Sequence, residues 1–144
     1  MVQTPRPAPA GIIACVAGVL ALALASCDDG PTSPSDLSGG EWRLVSIRLP
    51  DFSVVTPDDS GDFTIQFDVD GRIQVQADCN GCGGRYELDG DSLEVTDLAC
   101  TLIACPGPPV DRMFLDVLAG TSTVDVDGDD LTIASAEGTL RFTR

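Results

Sequence analysis

Beyond residue 40 the chain is punctuated by Asp-Gly dipeptides, at Asp70-Gly71, Asp89-Gly90 and Asp127-Gly128, each set between two short stretches with an apolar residue at every second position. Asp-Gly tolerates the positive φ of a tight hairpin, and a period of two marks a strand with one oily face. Phe63, Ile65, Phe67 and Val69 form one such face, answered across Asp70-Gly71 by Ile73, Val75, Ala77 and Cys79. Asp89-Gly90 joins 85–88 to 92–98, and Asp127-Gly128 joins 123–126 to 131–134. Ala136-Glu137-Gly138 turns into a last strand over 139–143, and 42–49 supplies an opening one. These segments predict a mainly β domain: about eight short antiparallel strands in a meander that closes into a small barrel or half-barrel.

One segment breaks the period. Val110, Met113, Phe114, Val117 and Leu118 recur at helical spacing between Pro108-Pro109 and Gly120, which predicts a short amphipathic helix packed on the sheet or plugging one end of the barrel.

The N-terminal part reads as an address. A polar start carrying Arg6 leads into an unbroken apolar run over 11–25, short for a membrane-spanning helix and ending in small residues. Leu24-Ala25-Ser26-Cys27 resembles a lipobox, the bacterial lipoprotein motif; it implies cleavage after residue 26 and lipid on Cys27. At ~0.8 kcal/mol per buried CH₂, two or three acyl chains anchor stably where one does not. The expected location is outside the cytoplasm, tethered by lipid to the bacterial cell membrane or outer membrane, with the domain facing the periplasm or exterior. Asp28 resembles the signal that retains some lipoproteins at the inner membrane. Residues 28–40, rich in Pro, Ser, Gly and Asp, have the composition of a flexible tether, so the organisation reads 1–26 signal, 27–40 tether and 41–144 folded domain.

Removing the signal keeps all 23 acidic residues and costs one of the 8 basic ones, Arg6, taking the formal charge from −15 to −16. Such a surface repels phosphate backbones and anionic headgroups, so nucleic acid is excluded as a partner and membrane contact is left to the lipid. The sequence also lacks His, which removes Ser-His and Cys-His nucleophile pairs and imidazole metal ligands. No Gly-rich phosphate loop or G-x-S-x-G appears, and no pair of carboxylates is singled out by a surrounding apolar pocket. The chain is therefore read as non-enzymatic, with no cofactor.

Four cysteines remain beyond the lipobox, Cys79, Cys82, Cys100 and Cys105, and an even number in an exported domain suggests two disulfides. Of the three possible pairings, antiparallel strands favour the nested one, Cys79 with Cys105 and Cys82 with Cys100, although spacing alone leaves all three open. A zinc ribbon wants C-x₂-C twice, whereas the second pair here is C-x₄-C. A redox-active C-x-x-C wants a helix N-terminus, whereas Cys82 runs into Gly83-Gly84 and a strand. The acidic stretch Asp125-x-Asp127-Gly128-Asp129-Asp130 invites a calcium reading, but its Gly stands fourth rather than sixth and Ala136 occupies the twelfth position, so turn chemistry explains it better.

The run Cys79-Asn80-Gly81-Cys82-Gly83-Gly84-Arg85-Tyr86 resembles the GCN-x₃-G-x-Y signature of the META domain, or HslJ-like, family. Trp42-Arg43-Leu44 resembles that family's opening W-x-L, Thr101 to Cys105 its T-x-M-A-C segment, and 113–118 the helix beyond it. Asp78 stands where the family has Gly, and Ile103 where it has Met. Cys82 and Cys100 resemble a variant carrying a second bridge. The resemblance implies a small barrel-like fold, a cell-envelope setting, links to heat shock or antibiotic tolerance, and no established catalysis. It makes Trp42, Asn80, Gly84, Tyr86 and Thr101 the motif residues. For Asn80 the bland role is holding a tight turn beside a disulfide; for Tyr86 and Trp42 it is packing in the core. The expected function is that of a binding or stress-protective module for an envelope protein or small ligand. An inhibitor of an envelope or secreted hydrolase is the second reading, and a thiol-disulfide protein acting through Cys79 and Cys82 the third.

Overall fold

The computed structural model describes residues 32–144. The expected signal segment, the expected lipidation site Cys27 and the first residues of the expected tether lie outside the described residues.

Nine strands are observed among the described residues: β1 (Glu41–Arg48), β2 (Val54–Val55), β3 (Phe63–Phe67), β4 (Arg72–Ala77), β5 (Asn80–Asp89), β6 (Ser92–Cys100), β7 (Gly120–Asp127), β8 (Asp130–Ser135) and β9 (Gly138–Thr143). From β3 to β9 each pairs antiparallel with the next, and β1 closes the ring by pairing with β3 through residues 41–43 and with β9 through 43–48. The result is a closed eight-stranded antiparallel barrel, as the alternation predicts. The ninth strand, β2, pairs only with Ile47 and Arg48 of β1. Its two residues carry no alternation, which is why the sequence does not announce it.

The hairpins fall where Asp-Gly predicts them. Gly90 and Gly128 open two-residue loops at φ +59° and +61°, values that glycine adopts without steric cost. The β3–β4 connection is longer. The Asp68 N–H donates to the Arg72 carbonyl and the Gly71 N–H to the Asp68 carbonyl, closing a four-residue loop in which Val69 is exposed. The extended face expected to run through Val69 and Cys79 thus stops at Phe67 and Ala77. Both residues lie in connections, outside the ladder.

Inside the barrel, Trp42, Leu44, Ile65, Leu93, Leu131 and Phe142 are essentially without solvent exposure and belong to one continuous core. Helix α2 (Val110–Leu118) packs against β4, β8 and β9, and β4 and β8 stand on opposite sides of the ring, so the helix spans one mouth and plugs it. Phe114 carries the contact, with edge-on rings of Phe63 and Phe142 at 5.8 and 6.0 Å.

The other mouth is closed by a segment the composition assigns to the tether. A single helical turn, α1 (Pro34–Leu37), buries Leu37 completely, the indole N–H of Trp42 donates to the Leu37 carbonyl at 2.8 Å, and Ser38 bridges to Phe67. Thr32 is tied to the β5–β6 turn through Asp91. The folded unit therefore opens before residue 41. One apolar side chain among Pro, Ser and Asp makes no period, yet a single Leu seated under a Trp is enough to dock the segment.

The two mouths differ in character. The α1 end carries the hairpin turns with Asp68, Asp70, Asp89, Asp91, Asp127 and Asp129. The α2 end carries the β4–β5 connection, the long 101–109 loop and the 49–53 turn.

Candidate functional site

At the α2 end, β4 finishes at Ala77 and the chain reverses through Asp78 at φ +56°. This is the position where the family signature has Gly, and the left-handed backbone is the reason: L-residues other than Asn and Asp rarely sit there. The reversal points Cys79 at Cys105, and three residues further on Cys82 faces its cross-strand partner Cys100. The sulfurs are bridged in the nested pattern, Cys79–Cys105 and Cys82–Cys100.

Cys79 and Cys82 thus bond to different partners, which gives no C-x-x-C redox couple. Asp78 lies close to Cys79 and Cys105, but both sulfurs are engaged in a disulfide and neither is a thiolate available to a metal. Asp127 and Asp130 pair across a two-residue hairpin loop, the turn role read from the sequence.

Asn80 organises the loop beyond β6. Its side chain is buried, and its amide meets both backbone groups of Ile103: Oδ1 accepts from the Ile103 N–H at 2.8 Å and Nδ2 donates to the Ile103 carbonyl at 3.0 Å. Oδ1 also accepts from the Thr101 hydroxyl at 2.9 Å, and that hydroxyl oxygen receives the Gly81 N–H. The Thr101 N–H donates to the Gly81 carbonyl at 3.0 Å. Asn80 acts as a surrogate strand, continuing the ladder for residues that have left β6. Its Nδ2 also reaches both sulfurs of the Cys79–Cys105 disulfide, at 3.9 and 3.3 Å, so it sits beside the disulfide as expected while its stronger bonds hold the far loop.

The segment 101–104 is consequently held at alternate residues. Thr101 and Ile103 bond inward, while the Leu102 N–H and carbonyl have no hydrogen-bond partner among the described residues. The Leu102 side chain is 98% exposed and Ile103 58%. A groove of about 390 Å³ runs along the loop, between Asn80, Thr101 and Ile103 on one side and Asp111, Arg112 and Leu115 of α2 on the other. A second, of about 350 Å³, has an apolar floor of Phe63, Val110 and Met113 and an acidic rim that includes Asp58, Asp59 and Asp62.

The remaining motif residues are structural. Trp42 is fully buried, with the Arg144 guanidinium 4.4 Å from its ring centroid. Tyr86 packs edge-on against Phe67 at 5.0 Å and donates its hydroxyl to the Asp68 carbonyl. Burial, then the charges of Asp68 and Asp70, push its phenol above the ordinary value. Gly84 sits at the β5–β6 register shift, where a Cβ would lie 2.9 Å from the Thr96 carbonyl oxygen.

Two features escape the sequence reading. Leu102 stands inside the segment that resembles T-x-M-A-C, and its signal is an apolar pair bracketed by cysteines where alternation has ceased. Phe52 tops the 49–53 turn at φ +67° and is 82% exposed, an uncommon conformation for a bulky residue. Asp51 supports that turn by accepting from the Ser53 hydroxyl and N–H, which hold its carboxyl below the usual range.

The fold and the pinned loop define a small, disulfide-bridged, closed antiparallel barrel plugged by one helix. The META domain family model matches residues 35–144, and the chain belongs to that family. No curated protein matches it. Among solved structures it is similar to a protein determined by NMR, with 24% identity over 78% of this chain and 94% of that one, TM-score 0.62. A Burkholderia xenovorans protein also determined by NMR shares 17% identity over 98% of both chains, TM-score 0.62. A duf4847 family protein from Bacteroides vulgatus ATCC 8482 shares 15% identity over 74% of this chain and 93% of that one, TM-score 0.55. At these identities the likeness is one of fold.

Proposed function

We propose that the chain is an exported lipoprotein, anchored through Cys27, whose META domain is a non-catalytic binding module that presents the 101–105 loop to another envelope protein. The observation that carries this reading is Leu102: a large apolar side chain almost wholly in solvent, on a segment fixed by two disulfides and by Asn80. Leu102 and Ile103 together put an adjacent apolar pair in solvent on a rigid mount, and a preordered contact loses little entropy on binding. A protein partner is favoured over a small ligand enclosed by the barrel, because core side chains fill the interior.

The anchor agrees with this orientation. Cys27 precedes Thr32 by few residues, a reach of no more than about 20 Å, and Thr32 docks at the α1 end. A lipid on Cys27 then keeps the acidic turns toward the membrane and directs the 101–105 loop away from it, toward soluble partners.

The test is site-specific photocrosslinking in the native envelope. A photoreactive side chain at Leu102 is expected to yield one discrete adduct, and the same group at Val69, exposed at the opposite mouth, none. Equal adducts from both positions, or none from Leu102, would sink the proposal. Globomycin, which blocks lipoprotein signal cleavage, is expected to retain the chain with its signal segment uncut; unaltered processing would remove the anchor.

A further inference from the structure

The geometry points to a substrate-like inhibitory loop: Thr101 to Ala104 enters the active-site cleft of an endopeptidase that accepts a large apolar side chain, with Leu102 in the specificity pocket. The inference rests on the binding-module reading above and names the class of partner.

Endopeptidases bind their substrates extended, pairing with backbone N–H and C=O groups on one edge while a single side chain fills a pocket. The loop offers that arrangement. Thr101 turns its N–H and hydroxyl inward on Gly81 and Asn80, and Ile103 turns both its N–H and carbonyl inward on Asn80, while the N–H and carbonyl of Leu102 have no partner among the described residues. Its 98% exposed side chain is free to enter a pocket with no rearrangement of the barrel. The groove beside α2 leaves room along one flank of the loop for the lip of a cleft.

What separates an inhibitor from a substrate is the fate of the cut ends, and the disulfides decide it. Attack by the enzyme's nucleophile on the Leu102 carbonyl carbon breaks the Leu102–Ile103 bond, leaves the acyl group on the enzyme and sends a proton to the Ile103 nitrogen. The acyl side stays tied through Cys100 to Cys82 and the amine side through Cys105 to Cys79, both within one short stretch of β5 and its entry. The Ile103 nitrogen is itself held at 2.8 Å from Asn80 Oδ1. The new amine therefore remains beside the acyl carbon, where it re-attacks, restores the peptide bond and releases the enzyme's nucleophile. Retaining the leaving group makes religation effectively unimolecular and favours it over hydrolysis.

The test uses the full chain, purified without reductant, against chymotrypsin and subtilisin, with trypsin as the enzyme whose pocket demands a basic side chain. Stoichiometric inhibition of chymotrypsin or subtilisin and none of trypsin is expected. Leu102→Arg, at a site too exposed to disturb folding, is expected to transfer inhibition to trypsin and weaken it toward chymotrypsin by about a hundredfold or more. Asn80→Ala is expected to convert the loop into a cleaved substrate. No inhibition by the native chain, or rapid and complete cutting of its loop, overturns the inhibitory role. A discrete adduct from Leu102 in the envelope would then leave the binding module standing, whereas inhibition that Leu102→Arg fails to redirect would overturn the assignment to this loop.

Discussion

Replacing Asn80 with Ala should loosen the 101–105 loop far more than the barrel. The side chain makes four hydrogen bonds to that loop, to the Ile103 N–H, the Ile103 carbonyl and the Thr101 hydroxyl at 2.8, 3.0 and 2.9 Å, and from Nδ2 to the Cys105 sulfur at 3.3 Å. The three to nitrogen and oxygen partners are worth about 1 kcal/mol net each and the one to sulfur less, so the loss is on the order of 3 kcal/mol and at most about 4. Ile103 is half exposed, so water replaces part of what its backbone loses, and both disulfides still close the loop. Global stability should therefore fall by about 1–2 kcal/mol, read from the urea midpoint at unchanged slope. Local opening should respond more strongly: exchange of the Ile103 amide should accelerate by about tenfold or more, while Ile65 and Leu131 in the barrel follow only the global change. Asn80→Asp keeps the acceptor for the Ile103 N–H but sets a carboxylate oxygen against the Ile103 carbonyl, and should release the loop as well. An Ile103 amide as protected in Asn80→Ala as in the native chain would refute the assignment of loop order to this side chain.

Asp78→Gly should stabilise the domain by about 0.5–1 kcal/mol, seen as a midpoint rise of several degrees, because it relieves a left-handed residue whose carboxylate makes no hydrogen bond among the described residues. Gly84→Ala should cost about 2 kcal/mol or more, since the added methyl meets the Thr96 carbonyl oxygen and the Leu98 backbone; a neutral result in thermal melts would refute the close approach. Leu37→Ala should cost about 3 kcal/mol, a value expected of a core residue and not of a tether. Tyr86 is the only tyrosine, and the sequence has no Lys to titrate near it in pH. Its raised pKa means the unfolded chain releases the phenolic proton first, so stability should be full below about pH 10 and fall above it, a slope that Tyr86→Phe removes in denaturation curves.

The barrel was legible because its determinants are local. Residues such as Ile65 and Val75 alternate with polar neighbours, and Gly90 and Gly128 mark the turns, so strand number and hairpin order emerge from short windows. Leu37 was not legible, since its burial depends on Trp42 and on a sheet edge formed later in the chain. The site divides in the same way. The even cysteine count and the antiparallel strands favoured the nested pairing without deciding it, whereas the reach of Asn80 to Ile103 spans 23 positions and leaves no periodic trace. Phe52 is harder still: nothing in Asp51-Phe52-Ser53 announces an aromatic held at positive φ.

The two ends of the barrel make opposite demands on the same strands, and the charge pattern reconciles them. At the α1 end Asp68, Asp70, Asp89, Asp91, Asp127 and Asp129 crowd the turns, with Arg72 and Arg144 giving only exposed or half-exposed partners to Asp70 and Asp129. Exposed pairs of this kind contribute little, so the end remains strongly negative and repels anionic headgroups. With a lipid on Cys27 the short connection pulls this end toward the bilayer while its charge holds it off, and the two forces together favour a domain standing on its acidic turns. Leu102 and Phe52 are then displaced outward by the length of the strands, about 20–30 Å for six to nine residues. Salt offers the check. Raising ionic strength screens the repulsion over a Debye length of about 10 Å at 0.1 M and 3 Å at 1 M. A fluorophore at Val69 should therefore approach a quencher in anionic vesicles as salt rises, while one at Leu102 stays distant; equal quenching of both at all salt concentrations would mean that the domain lies on its side.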